Sequence, residues 1–161
     1  MILTLAGRLQ TRLFLFLFIG VPVTLAFVFI LAGWKWDYDI AMPFLLFLVT
    51  ITGLGLLLDP IYIFIQTTRW DRDWPFAYQF FFSWVEFGIV FAVARAGLIP
   101  WLPVSVEGQS APLVDFSSTT AIGLATLHFT CVFIPSFLAL LGPMQAIFVR
   151  WRFKGGQFGK L

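Results

Sequence analysis

Four ionisable side chains lie inside long apolar runs of this sequence: Asp59, Glu86, Arg95 and His128. Charge is costly to hold in apolar surroundings, so each needs a partner or a purpose. Asp59 belongs to the series Thr52, Gly55, Asp59, Tyr62, Gln66, spaced 3-4-3-4. At about 100° per residue this series forms one stripe of a helix. Gln79, Ser83 and Glu86 form a similar stripe on the next apolar run. Only the short segment TTRWDRDWPF separates the two runs, so the helices should be antiparallel neighbours. Reflection about the middle of that segment sets Asp59 level with Glu86, Tyr62 with Ser83 and Gln66 with Gln79. The expected product is a polar ladder whose deep end is a pair of carboxylates, about 10 Å below Gln66 at 1.5 Å per residue. Two close carboxylates would share a proton, bind a cation or pair with a base from elsewhere. One reading is therefore a proton or cation site. The preferred one is interhelical packing, because polar contacts between helices commonly act as modest glue.

Arg95 follows a small-xxx-small run, Gly88, Ala92 and Ala96, and shares nearly the same face. Glu86 is nine residues away, about half a turn around the helix, so the two cannot pair along it. Arg95 is expected to snorkel outward or to meet an outer carboxylate such as Asp115. An anionic headgroup or substrate carboxylate is the alternative partner. His128 shares a stripe with Cys131, Pro135, Ala139 and Gly142 that is expected to pack inward. His128 and Cys131 could supply two metal ligands, but no further set at recognisable spacing completes a site, and none is expected. A lone histidine can also hold chlorophyll or haem axially; a packed histidine is preferred. Arg95 and His128 mark a candidate outer-half polar site. One cysteine and one histidine exclude an intrachain disulfide, a cysteine-based zinc or iron–sulfur site and a haem held by two histidines.

The elements that must position these groups follow from composition. Of 161 residues, 60% are hydrophobic and 11% charged, against about 25% charged in a soluble domain. The mean hydropathy is +0.95. The 21 Phe suit acyl chains and the 7 Trp suit a headgroup boundary. Four stretches approach the roughly 20 apolar residues that a spanning helix needs. They give an all-α integral membrane four-helix bundle, a single domain over 1–161, with spans at about 13–33, 41–66, 77–99 and 120–149. Residues 1–12 read as a short interfacial segment, Asp59-Pro60 as an interruption of the second span, and Ser117, Ser118 and Thr119 as caps for the fourth. The first span is longer than the usual apolar region of a signal peptide, and is read as retained.

Orientation follows from Lys and Arg in the connections. Arg8, Arg12, Arg69, Arg72, Arg150, Arg152, Lys154 and Lys160 fall on one side and Lys35 alone on the other. Both termini are therefore expected in the cytoplasm. Arg69, Arg72, Arg150, Arg152 and Lys154 are candidates for contact with anionic lipid or a cytoplasmic partner. A net charge of +2 gives no reason to expect nucleic acid.

Nothing resembles a nucleotide loop, a serine-hydrolase elbow or a metalloprotease helix, so no enzyme is expected. The short termini, the lack of a soluble domain and the small or polar groups on several helix faces favour a structural or accessory subunit of a larger membrane complex. Its partners would be the bilayer and other membrane subunits or copies of itself. The alternative is a small oligomeric transporter or proton/cation-conducting protein using Asp59 and Glu86. The expected location is the bacterial inner membrane or an equivalent energy-transducing membrane.

Overall fold

Four helices build the computed structural model, which describes residues 5–68, 76–104 and 114–144. They are α1 (Leu5–Leu31), α2 (Tyr38–Thr68), α3 (Phe76–Arg95) and α4 (Thr119–Leu141). All four are long and apolar enough to cross a membrane.

α1 begins well before the expected span. Residues 5–12 are its first two turns, with Gly7 and Thr11 buried, and no separate interfacial segment exists among the described residues. Within it, Phe16–Gly20 forms a π turn, and the Val21 N–H donates to the Phe16 carbonyl. The sequence explains this. Pro22 lacks an N–H and would crowd a preceding carbonyl, and a widened turn relieves both problems. The widening also re-aims the helix. Nine residues at about 100° each would set Thr11 and Gly20 half a turn apart. Instead Thr11 faces the interior below the turn, and Gly20, Thr24 and Val28 face it above.

α2 runs unbroken through Asp59-Pro60 and Pro43, contrary to the expected interruption. Proline costs a helix one donor and one close carbonyl contact, and α2 absorbs both without ending. α3 ends at Arg95, earlier than expected. Gly97 adopts φ +69°, and the Leu98 N–H reaches back to the Val93 carbonyl at 3.2 Å. This left-handed glycine closure is a common helix stop. α4 ends at Leu141, with Gly142 and Pro143 following. A proline disfavours helical geometry in the residue before it, so the expected continuation to 149 does not occur as one helix. Residues 145–149 lie outside the described part. Of the three candidate caps, Ser118 is the one used: its Oγ accepts from the Ala121 N–H at 3.2 Å.

The two ends of the bundle are built differently. At the α1–α2 turn end the core is aromatic, with Phe44, Phe47 and Val28 fully buried. The chain after α3 folds back onto it, burying Ile99, Leu102, Val114 and Phe116. Phe116 lies 5.1 Å from Phe47 between ring centroids. At the other end the pattern is inverted. Leu57, Phe64 and Phe18 are 76%, 69% and 66% exposed, while Asp59, Gln66 and Glu86 are 1%, 2% and 3% exposed. Apolar groups face out and charged groups face in, the reverse of a water-soluble helix bundle.

Candidate functional site

The buried charges converge on one residue of α1. The Arg12 guanidinium lies between the two carboxylates. Its Nε donates to Asp59 Oδ2 at 3.3 Å and its Nη2 to Asp59 Oδ1 at 3.1 Å. Nη2 also donates to Glu86 Oε1 at 3.1 Å, and Nη1 to Glu86 Oε2 at 2.9 Å. Four of the five N–H donors of the guanidinium fork are thus engaged in two bidentate pairs. The carboxylates are nearly fully buried, and the Arg12 side chain keeps 26% of its exposure. One turn earlier, Arg8 Nη2 donates to Gln66 Oε1 at 3.2 Å, and Arg8 Nη1 stands 3.9 Å from Asp59 Oδ1. Two guanidinium and two carboxylate groups sum to zero charge.

Each helix contributes for a local reason. Arg8 and Arg12 are one turn apart and share a face of α1. On α2, Gly55, Asp59, Tyr62 and Gln66 are buried along the expected stripe. Gly55 makes room for this arrangement. A Cβ there would collide with the Arg12 guanidinium and come within 2.8 Å of Glu86 Oε2. The missing side chain lets the guanidinium lie against the α2 backbone. On α3, Glu86 faces the same point. Tyr62 lies against that carboxylate as well.

Asp59 and Glu86 therefore come together, but through a cation that sequence reasoning assigned to the flanking charges. Gln66 meets Arg8. The Ser83 hydroxyl donates to its own helix at the Gln79 carbonyl, 2.8 Å away, so the hydroxyl is used within α3. Arg95 and His128 do not form a common site: Arg95 is exposed at the last turn of α3, and His128 is 1% exposed inside the bundle. The Asp115 carboxylate accepts from the Ser117 N–H and Oγ at 2.9 and 2.8 Å. Arg69, Arg72, Arg150, Arg152 and Lys154 lie outside the described residues.

The expected inward stripe of α4 needs correction. Cys131 and Gly142 are exposed, so the buried face runs instead through Ala121, Ala125, His128, Phe129, Val132 and Phe133. His128 and Cys131 consequently do not share an inward face. The Nε2 of His128 is 2.8 Å from the Thr24 hydroxyl of α1. Its ring packs 5.0 Å from Phe44 and 5.3 Å from Phe27. Among the described residues, no three His, Cys, Asp or Glu side chains converge as a metal site.

A cavity of about 170 Å³, open on one side, adjoins the charge cluster. Arg8, Thr11 and Arg12 of α1 and Gln79 and Ser83 of α3 give it polar walls; Phe82, Phe129, Phe133 and Phe137 give it an aromatic one.

Comparison of the chain with family models, with curated proteins and with solved structures finds no match. Chemistry alone must interpret the site. A guanidinium held by four charge-assisted bonds is a strong fixed tie. It joins α1, α2 and α3, and it occupies the space between the carboxylates where a bound cation would sit.

Proposed function

We propose that this chain is an integral membrane protein with both termini in the cytoplasm, acting as a structural or accessory subunit of a larger membrane complex. The expected setting is the bacterial inner membrane or a comparable energy-transducing membrane. The carrying observation is that Arg12 already satisfies both Asp59 and Glu86 within the chain. A neutral cluster with both carboxylates paired serves to fix three helices, and charges paired this way are tolerable in lipid. The inverted exposure pattern around it supports the membrane setting. Gly88, Ala92 and Ala96 face outward on α3, and small residues allow another helix to approach closely. The reading includes no catalytic role.

The cavity beside the cluster favours a second reading, a small oligomeric transporter or proton/cation-conducting protein. That reading requires Arg12 to leave at least one carboxylate during the cycle. Purification in mild detergent separates the two. Stable co-purification with other polypeptides supports the subunit; a homo-oligomer with pH-dependent flux in liposomes overturns it in favour of transport.

A further inference from the structure

The cavity has features that the tie between helices does not require. We propose that it binds an amphiphile with an uncharged, carbonyl-bearing head and an apolar tail. This inference goes beyond the subunit reading and does not depend on it.

The lining selects the head. The four charges at the cavity wall cancel, so neither a net anion nor a net cation gains a long-range advantage there. What remains is hydrogen-bonding capacity. Arg12 has one Nη1 N–H beyond the four engaged donors. Thr11 is only 8% exposed, and its buried hydroxyl has no hydrogen-bond partner among the described residues. A buried polar atom without a partner is costly, and Thr11 lines this cavity. A ligand carbonyl at the wall would accept from the Thr11 hydroxyl. The volume is below the roughly 300–1,000 Å³ of a pocket that encloses a whole drug-sized ligand, so it suits a head and leaves the tail outside.

The aromatic wall and the helix arrangement accommodate the tail. Phe129 and Phe133 are 5.4 Å apart at 10°, and Phe133 and Phe137 5.5 Å apart at 29°. They form a continuous apolar strip along α4. Below the π turn, α1 packs on α2; the π turn and the segment above it pack on α4. α1 and α4 therefore diverge toward the end of the bundle that holds the cavity, which gives a tail a lateral way in.

The shared chemistry could come from a neutral glycerolipid or from a quinone. The test uses the full chain, purified in mild detergent and stripped of lipid by extensive exchange. Binding is titrated with dioleoylglycerol, with a decyl-substituted benzoquinone and with the anionic lipid phosphatidylglycerol. Saturable binding of at least one neutral probe, tighter than phosphatidylglycerol, is expected, and the tighter of the two identifies the source. Ser136→Phe, which fills the cavity away from the charges, should weaken that probe at least about tenfold. Thr11→Val should weaken it several-fold while leaving the ligand-free melting temperature unchanged or raised, because it removes an unpartnered hydroxyl. If Ser136→Phe fails to fold, Thr11→Val decides. Absence of saturable neutral binding, preference for phosphatidylglycerol, or unchanged affinity in the variant that decides overturns the proposal.

Discussion

At the scale of single residues, Arg12 is the group on which the buried charges depend. Removing it leaves two carboxylates enclosed without a counter-charge. Arg12→Ala should cost about 3–5 kcal/mol, nearer the lower value because Arg12 is partly exposed. Thermal unfolding in detergent would read this as a large drop in melting temperature. Arg12→Lys should recover only part, since an ammonium cannot make two bidentate pairs. The carboxylates are graded differently. Asp59→Asn keeps shape and some bonding but leaves the cluster one charge positive, so a loss of about 1–3 kcal/mol is expected. Asp59→Leu should be worse than the amide. Equal stability of wild type and Asp59→Leu would show that the tie contributes nothing. Gly55→Ala should destabilise less than Arg12→Ala, because the added methyl displaces the guanidinium but leaves its charge beside the carboxylates. If Gly55→Ala melts like wild type, the close approach is wrong. Asp59 and Glu86 were legible in the sequence as facing groups, since stripe and loop length fix both azimuth and depth. Arg12 was not. It precedes the most apolar stretch and reads as a flanking charge. Its signal was the need of two buried carboxylates for a base, together with a second arginine one turn away.

At the scale of elements, the apolar runs gave the number of helices, while their limits required local stereochemistry. Gly97, Gly142 and Ser118 set ends that hydropathy blurs. The π turn was the feature least visible beforehand, although Pro22 inside an apolar helix hinted at it. It sets the direction in which Arg8 and Arg12 point. Inserting one alanine between Leu13 and Phe14, in the ordinary helix below the turn, should swing the arginines about 100° off the cluster, whereas deleting Ile19 in a Pro22→Ala background should convert the turn to ordinary helix and keep them on it. The Pro22→Ala parent controls for the proline itself. The melting loss expected of the insertion matches Arg12→Ala, and the insertion combined with Arg12→Ala should be no worse than either alone. Additive losses would mean that the insertion acts elsewhere.

At the scale of the whole molecule, the charge bias predicts sidedness. In a Cys131→Ser background, a cysteine replacing Lys35 should react with an impermeant maleimide on intact cells. One replacing Thr68 should react only after permeabilisation. The opposite pattern would invert the topology. Four helices and their antiparallel order were readable from composition and spacing. The aromatic plug after α3 was not, because Val114 and Phe116 look like ordinary loop residues until they fold back.

The order in which the tied residues leave the ribosome has a consequence of its own. Arg12 precedes Asp59 by 47 residues and Glu86 by 74. At about 5–20 residues per second, Glu86 follows Arg12 by about 4–15 s. Until Asp59 emerges α1 carries two guanidinium groups with no internal counter-charge, and until Glu86 emerges the cluster has one of its two carboxylates. The tie between the three helices can close only when the third helix is present. The final seating of the first helix is therefore a late event in biogenesis.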